Sequence, residues 1–108
     1  MGTAMTVVAL LSVAPVREGS MAADVAGAIA ALDDFDVAYQ TNPMGTVVEA
    51  DDVGTLLSAV EAAHRAVDAD RVSTFLKIDD KRTSEATARE KVEHVERELG
   101  RAARRDRA

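Results

Sequence analysis

Apolar residues recur along the chain with two alternating periods, and the alternation predicts the elements. Thr6–Ala14 is short, β-branched and stopped by Pro15, which reads as a buried strand. Pro15–Gly19 is a loop, and Ser20 is a suitable N-cap for a helix in which Met21, Val25, Ile29 and Leu32 share a face. Asp33 and Asp34 end that helix. Phe35–Thr41 alternates apolar and polar residues as a second strand. Asn42-Pro-Met-Gly45 is a turn, because proline fixes φ and glycine tolerates positive φ. Gly45–Ala50 is a third strand, closing a hairpin. Asp51 or Asp52 caps the next helix, which carries Val53, Leu56, Leu57, Val60, Ala63 and Val67 on one face. In a fourth strand, Arg71–Asp79, Val72, Thr74, Leu76 and Ile78 point one way, and Ser73, Phe75, Lys77 and Asp79 the other. After Asp80–Thr83, Ser84 is expected to cap a last helix over 84–105, with Ala88, Val92, Val95 and Leu99 as a narrow apolar stripe. The arginines at its end (Arg101, Arg104, Arg105, Arg107) suit a helix C-terminus.

The order β-α-β-β-α-β predicts an α+β, ferredoxin-like domain over residues 1–108: an antiparallel four-stranded sheet with two helices on one face, plus the extra C-terminal helix. Strand one carries Val8 and Leu10 on one side and Val7, Leu11 and Val13 on the other, and strand three carries Val47 and Val48 pointing oppositely. A strand apolar on both sides needs cover on both sides. The third helix and another subunit are both expected to supply it.

Composition narrows the chemistry. The 108 residues are 47% hydrophobic and 30% charged, as in a folded globular domain rather than a disordered chain. With 3% aromatic residues, the core must come from Val, Leu, Ile, Ala and Met, and a shortfall of apolar bulk favours self-association. The absence of cysteine excludes disulfides, thiolate metal sites and a cysteine nucleophile, and two histidines are too few for a His-rich metal centre. Residues 1–84 hold 13 Asp/Glu against 6 Lys/Arg, and residues 85–108 hold 6 against 7; the net charge is −6. An acidic body argues against nucleic acid and favours a cationic small molecule. Met1–Met5 lacks the basic stretch of a secretory leader. The nine residues Thr6–Ala14 fall short of the ~20 that span a bilayer. A cytoplasmic protein without membrane contact is expected.

This fold hosts many unrelated activities, so function has to come from particular residues. Tyr39-Gln-Thr-Asn-Pro-Met-Gly-Thr-Val-Val-Glu49 closely resembles the Tyr-x-Thr-x-x-Met-Gly-Thr-x-x-Glu hairpin of the thiamine-binding protein family. Ser12-Val-Ala-Pro15 with Gly19 and Ser20, and Lys77-Ile-Asp-Asp-Lys-Arg82, extend the resemblance over nearly the whole chain. It departs from the family in its Pro-Val-Arg-Glu-Gly-Ser loop, where a more glycine-rich version is expected, and in the Arg-rich segment past Leu99. The resemblance implies a ferredoxin-like dimer or tetramer that binds thiamine or its hydroxymethylpyrimidine moiety, as ligand and not as cofactor, without chemistry.

The candidate ligand residues are Ser12, Tyr39, Thr41, Thr46, Glu49 and Asp79, expected to meet at the strand ends in one cleft whose walls a subunit interface completes. Strands are depleted in glutamate, so Glu49 either is an edge residue or faces a ligand, accepting from the pyrimidine or balancing the thiazolium. The hydroxyls of Thr41 and Thr46 both donate and accept, as an aminopyrimidine edge requires, although both residues are also ordinary strand formers. Tyr39 offers an aromatic face to stack on, or simply packs on the sheet. Ser12 interrupts an apolar strand and needs a partner if buried. Asp79 lies beside Asp80-Lys81-Arg82, a run that is most often a solvated loop. His64 reads as a packed or capping residue and His94 as solvent-facing. Neither a nucleophile elbow nor a phosphate loop is present, so catalysis is not expected. The alternative is an oligomeric regulatory or scaffold protein that uses its sheet face and basic C-terminal helix for protein contacts.

Overall fold

A computed structural model describes residues 6–107; Met1–Met5, read above as lacking a leader's basic stretch, lie outside the described residues. The elements are β1 (Val7–Pro15), α1 (Ala22–Ala31), a 3-10 turn (Leu32–Asp34), β2 (Ala38–Asn42), β3 (Gly45–Ala50), α2 (Val53–Arg65), β4 (Val72–Asp79) and α3 (Ala88–Leu99). The sheet order is β2-β3-β1-β4 with every neighbouring pair antiparallel. This is the ferredoxin-like α+β arrangement with an added C-terminal helix that the sequence predicts.

Alternation along the strands sorts the side chains onto two faces. Val7, Ala9, Leu11 and Val13 of β1 and Thr46, Val48 and Ala50 of β3 point under the helices and are buried. They meet Ala28 and Leu32 from the α1 segment and Leu56, Ala59, Val60 and Ala63 from α2. Asp52 caps α2: its Oδ1 accepts from the Thr55 amide at 2.8 Å. Gly45 opens β3 at φ 156°, where a Cβ would stand 3.0 Å from Leu10 Cδ1 and 3.1 Å from the Leu11 carbonyl oxygen. A side chain there would push apart β1 and the hairpin, so this position of the turn requires glycine.

Several boundaries differ from the sequence expectation, the strands β1 and β4 by a single residue at their ends. The α1 helix begins at Ala22 rather than at Met21, with Ser20 Oγ accepting from the Ala22 amide at 3.3 Å. The second strand starts at Ala38 rather than Phe35, because the chain tightens into the 3-10 turn at Leu32–Asp34 first. The last helix covers Ala88–Leu99 and not 84–105. Thr87, not Ser84, is its cap, accepting from the Glu90 amide at 3.2 Å, and Gly100 at φ 73° stops it. The arginines at 101, 104, 105 and 107 therefore lie beyond the helix.

The cover expected of α3 over the open sheet face is only partial: the helix reaches that face at its start, where Ala88 and Lys91 meet Glu49 and Asp79. No residue of α3 is buried, and Val92, Val95 and Leu99 are 44%, 55% and 48% exposed. Phe75, on the open face of β4, is 57% exposed. Among the described residues, nothing covers the Val92, Val95 and Leu99 stripe or Phe75.

Candidate functional site

Strand β2 lies at the edge of the sheet, beyond the shelter of the helices, and all five of its residues are exposed. Its helix-side residues Tyr39 and Thr41 floor a groove whose wall is α1. One half of that space is a cleft of about 220 Å³ at the end of the sheet, between the start of α1 (Met21, Val25), the C-terminal half of β1 and the turn residues Pro43 and Met44. Thr41 and Thr46 line it. The other half is a shallower groove of about 680 Å³ along α1, running from Met21 past Ile29 to Asp33 and Tyr39. Binding sites usually enclose ~300–1,000 Å³, so the cleft alone takes one ring and the two halves together take a two-ring ligand.

The walls are apolar and the polar groups few. Thr46 is 3% exposed, and its Oγ1 lies 3.1 Å from Thr41 Oγ1. Two hydroxyls offer two donors and four acceptor positions, and their mutual bond uses one of each. One donor and several lone pairs remain for a ligand edge. At the far end, Tyr39 Oη donates to Asp33 Oδ1 at 2.6 Å. That hydrogen bond, more than desolvation, raises the Tyr39 phenol above its usual range, so it stays protonated at neutral pH. Arg17, near the Met21 end, is paired with Asp24.

The structure divides the six sequence candidates between the two faces of the sheet. Tyr39, Thr41 and Thr46 lie together on the helix side. Ser12 borders the cleft through the strand, while alternation sends its side chain to the open face, opposite Phe75 in the β1–β4 register. Glu49 and Asp79 also stand on the open face, flanking Val8 in the register. There they hold the start of α3: Glu49 Oε2 accepts from the Ala88 amide at 2.9 Å, and Lys91 Nζ donates to Asp79 Oδ2 at 2.8 Å. A carboxylate at a helix N-terminus satisfies an otherwise orphaned amide.

The Lys91 hydrogen bond first, then the charges of Lys91, Lys77 and Lys81, holds the Asp79 carboxyl below its ordinary value. A depressed carboxylate pKa gives stability that is present above the unfolded value of ~3.9 and is lost as the pH falls through the folded one. Asp79→Asn should therefore be less stable than the native chain at pH 6. The gap should narrow steadily as the pH falls below about 4, in urea melts at a series of pH values. A gap that stays constant from about pH 6 down to about pH 2 rejects the ion pair as its source.

Sequence reasoning missed Met21, Val25 and Ile29 as site walls, reading them as a core stripe, and did not place Asp33 at the site. Ala22, Ala26 and Ala30, four residues apart on α1, were the available signal: small side chains there leave the groove open. His64 is explained without chemistry, its Nδ1 lying 2.6 Å from Thr74 Oγ1 on β4. His94 is exposed, as expected.

Comparison with known proteins adds the identity of the fold's relatives. The family model for thiamine-binding proteins matches residues 9–96. The chain belongs to the thiamine-binding protein family. The match contains the whole cleft and stops short of the Arg-rich segment. The chain is 45% identical over 83 residues to a UPF0045 protein of Methanothermobacter thermautotrophicus, covering 74% of this chain and 84% of that one. A crystal structure of a hypothetical protein from Methanocaldococcus jannaschii superposes with a TM-score of 0.78 at 37% identity, over 84% of this chain and 96% of its own. A candidate thiamine biosynthesis/salvage protein of Thermotoga maritima gives a TM-score of 0.71 at 25% identity, over 83% and 98%. Among the described residues, no helix is long and apolar enough to cross a membrane.

Proposed function

We propose that this chain is a non-catalytic binding protein for thiamine or its aminopyrimidine moiety, held between α1 and the β2–β3 hairpin. The observation that carries the reading is the Thr41–Thr46 hydroxyl pair at the floor of an otherwise apolar cleft. An aminopyrimidine is a flat ring whose edge alternates ring-nitrogen acceptors with amino donors, which a hydroxyl pair can answer in both directions. Met21, Val25 and Met44 then sandwich its faces. Family membership supports the same ligand class. The side chains of Ser12, Glu49 and Asp79 take no part in this cleft within one protomer. The ligand is cargo or signal rather than cofactor, and the cytoplasm is the compartment where such a protein would meet it. Native protein should be stabilised against heat by thiamine or hydroxymethylpyrimidine; a melt unmoved by either rejects the reading.

A second property, self-association into a dimer or tetramer, is favoured by the open sheet face and by the exposed stripe of α3. Val92, Val95 and Leu99 lie on one side of a helix whose hydrogen bonds to its own sheet, among the described residues, are made at the first turn. Placed over another copy's open face, the stripe would meet Phe75 and the half-buried Leu10 and Val47. Such contacts would also serve the scaffold alternative, which needs no ligand. Sedimentation as a monomer at micromolar concentration would rule the association out.

A further inference from the structure

We infer that Asp33, seated by Tyr39 at the outer end of the groove, is the counter-ion for a fixed positive charge on the ligand, so that the site takes the unphosphorylated cation and rejects its phosphate esters. The inference rests on the proposed thiamine-type ligand and adds which form of it binds. Thr41 and Tyr39 are two residues apart on the same face of β2, a separation of about 7 Å. Two rings joined through a single methylene span a comparable length. A pyrimidine seated at Thr41 and Thr46 therefore lays its second, cationic ring beside the Tyr39 face and the Asp33 carboxylate.

Three features of this end favour a cation. The Asp33 carboxylate is fixed by the Tyr39 hydroxyl at 2.6 Å. Tyr39 is 39% exposed and lines the groove, so its ring is available as a π-face to a cation. The segment also lies just past the C-terminus of α1, where the helix dipole is negative and the last turn carries no basic residue. The same features oppose an anion. No Lys or Arg is among the residues lining either half of the site, and Asp34 and Asp36 lie beside Asp33 in the chain. A phosphate on the ligand's tail, beyond the second ring, would enter this acidic surface without a cationic partner.

The test is calorimetric titration of the full chain with thiamine, hydroxymethylpyrimidine and thiamine diphosphate at one ionic strength, for the native protein and Asp33→Asn. The amide oxygen of asparagine can still accept from Tyr39, so the variant removes charge and keeps shape. Asp33→Asn should weaken thiamine about five- to tenfold, leave neutral hydroxymethylpyrimidine unchanged, and narrow the gap between thiamine and its diphosphate. Native protein should bind thiamine at least about tenfold more tightly than the diphosphate. Equal binding of thiamine and its diphosphate overturns the inference and leaves the ligand reading standing. Equal weakening of thiamine and hydroxymethylpyrimidine by Asp33→Asn also overturns it, assigning Asp33 to structure. If neither thiamine nor hydroxymethylpyrimidine binds the native protein, the ligand reading falls and this inference with it.

Discussion

Leu56→Ala is expected to cost about 3 kcal/mol of stability, the largest loss from any single truncation in α2. Leu56 is fully buried, under a sheet whose Val7 and Val48 are 1% and 0% exposed, and beside Leu32 at 0%. With only three aromatic rings in the chain, nothing bulky stands ready to fill the space that alanine would leave. A domain of this length is stable by ~5–15 kcal/mol in total, so the loss is a large share of it. The melting temperature should fall on the order of 15 °C. The adjacent Leu57 is 47% exposed, and Leu57→Ala should stay within about 0.5 kcal/mol. Thermal melts of the two variants side by side check the rotational setting of α2. A Leu57 loss equal to the Leu56 loss would mean that the helix turns a different face to the sheet.

Much of this architecture is legible in the sequence because period and punctuation agree. Pro15, the Asn42–Gly45 turn and Asp52 mark ends that the structure keeps. The division of the candidate residues between two faces was legible as well. The buried positions of β1 are odd-numbered (7, 9, 11, 13), so Ser12 must point away from the helices. In β3 the buried positions are even-numbered (46, 48, 50), so Thr46 and Glu49, three apart, cannot share a face. Grouping them by motif hid what strand alternation states.

Other features need the third dimension. Ile29 is as apolar as Leu32, yet one lines the groove and the other is fully buried. The difference is where α1 crosses the sheet, which leaves β2 uncovered, and no local pattern encodes that crossing. The long reading of α3 failed for a local reason: its Arg-rich end suits a helix terminus, but Gly100 adopts a left-handed conformation and ends the helix first. The role of Glu49 was hidden because its partner, the Ala88 amide, is 39 residues away.

Thiamine at about 100 times its dissociation constant should stabilise the native chain by about 2.7 kcal/mol, a melting shift on the order of 10 °C. Thr46→Val should cut that shift roughly in half. Valine keeps the volume of threonine in a position 3% exposed, so the cleft's shape survives while one hydroxyl of the Thr41–Thr46 pair disappears. A buried hydrogen bond to a ligand is worth about 1–3 kcal/mol when its partner is left unsatisfied, and a loss of about 1.4 kcal/mol weakens binding about tenfold. At the same thiamine concentration the stabilisation then drops to about 1.4 kcal/mol. The variant's own stability should fall far less than that of Leu56→Ala, because Thr41 is exposed and water can replace the lost partner. Glu49→Gln supplies the contrast. Glu49 faces away from the cleft and holds the start of α3, so its variant should keep the full thiamine shift. If Glu49→Gln loses the shift while Thr46→Val keeps it, the ligand sits on the open face beneath α3 rather than in the cleft beside α1.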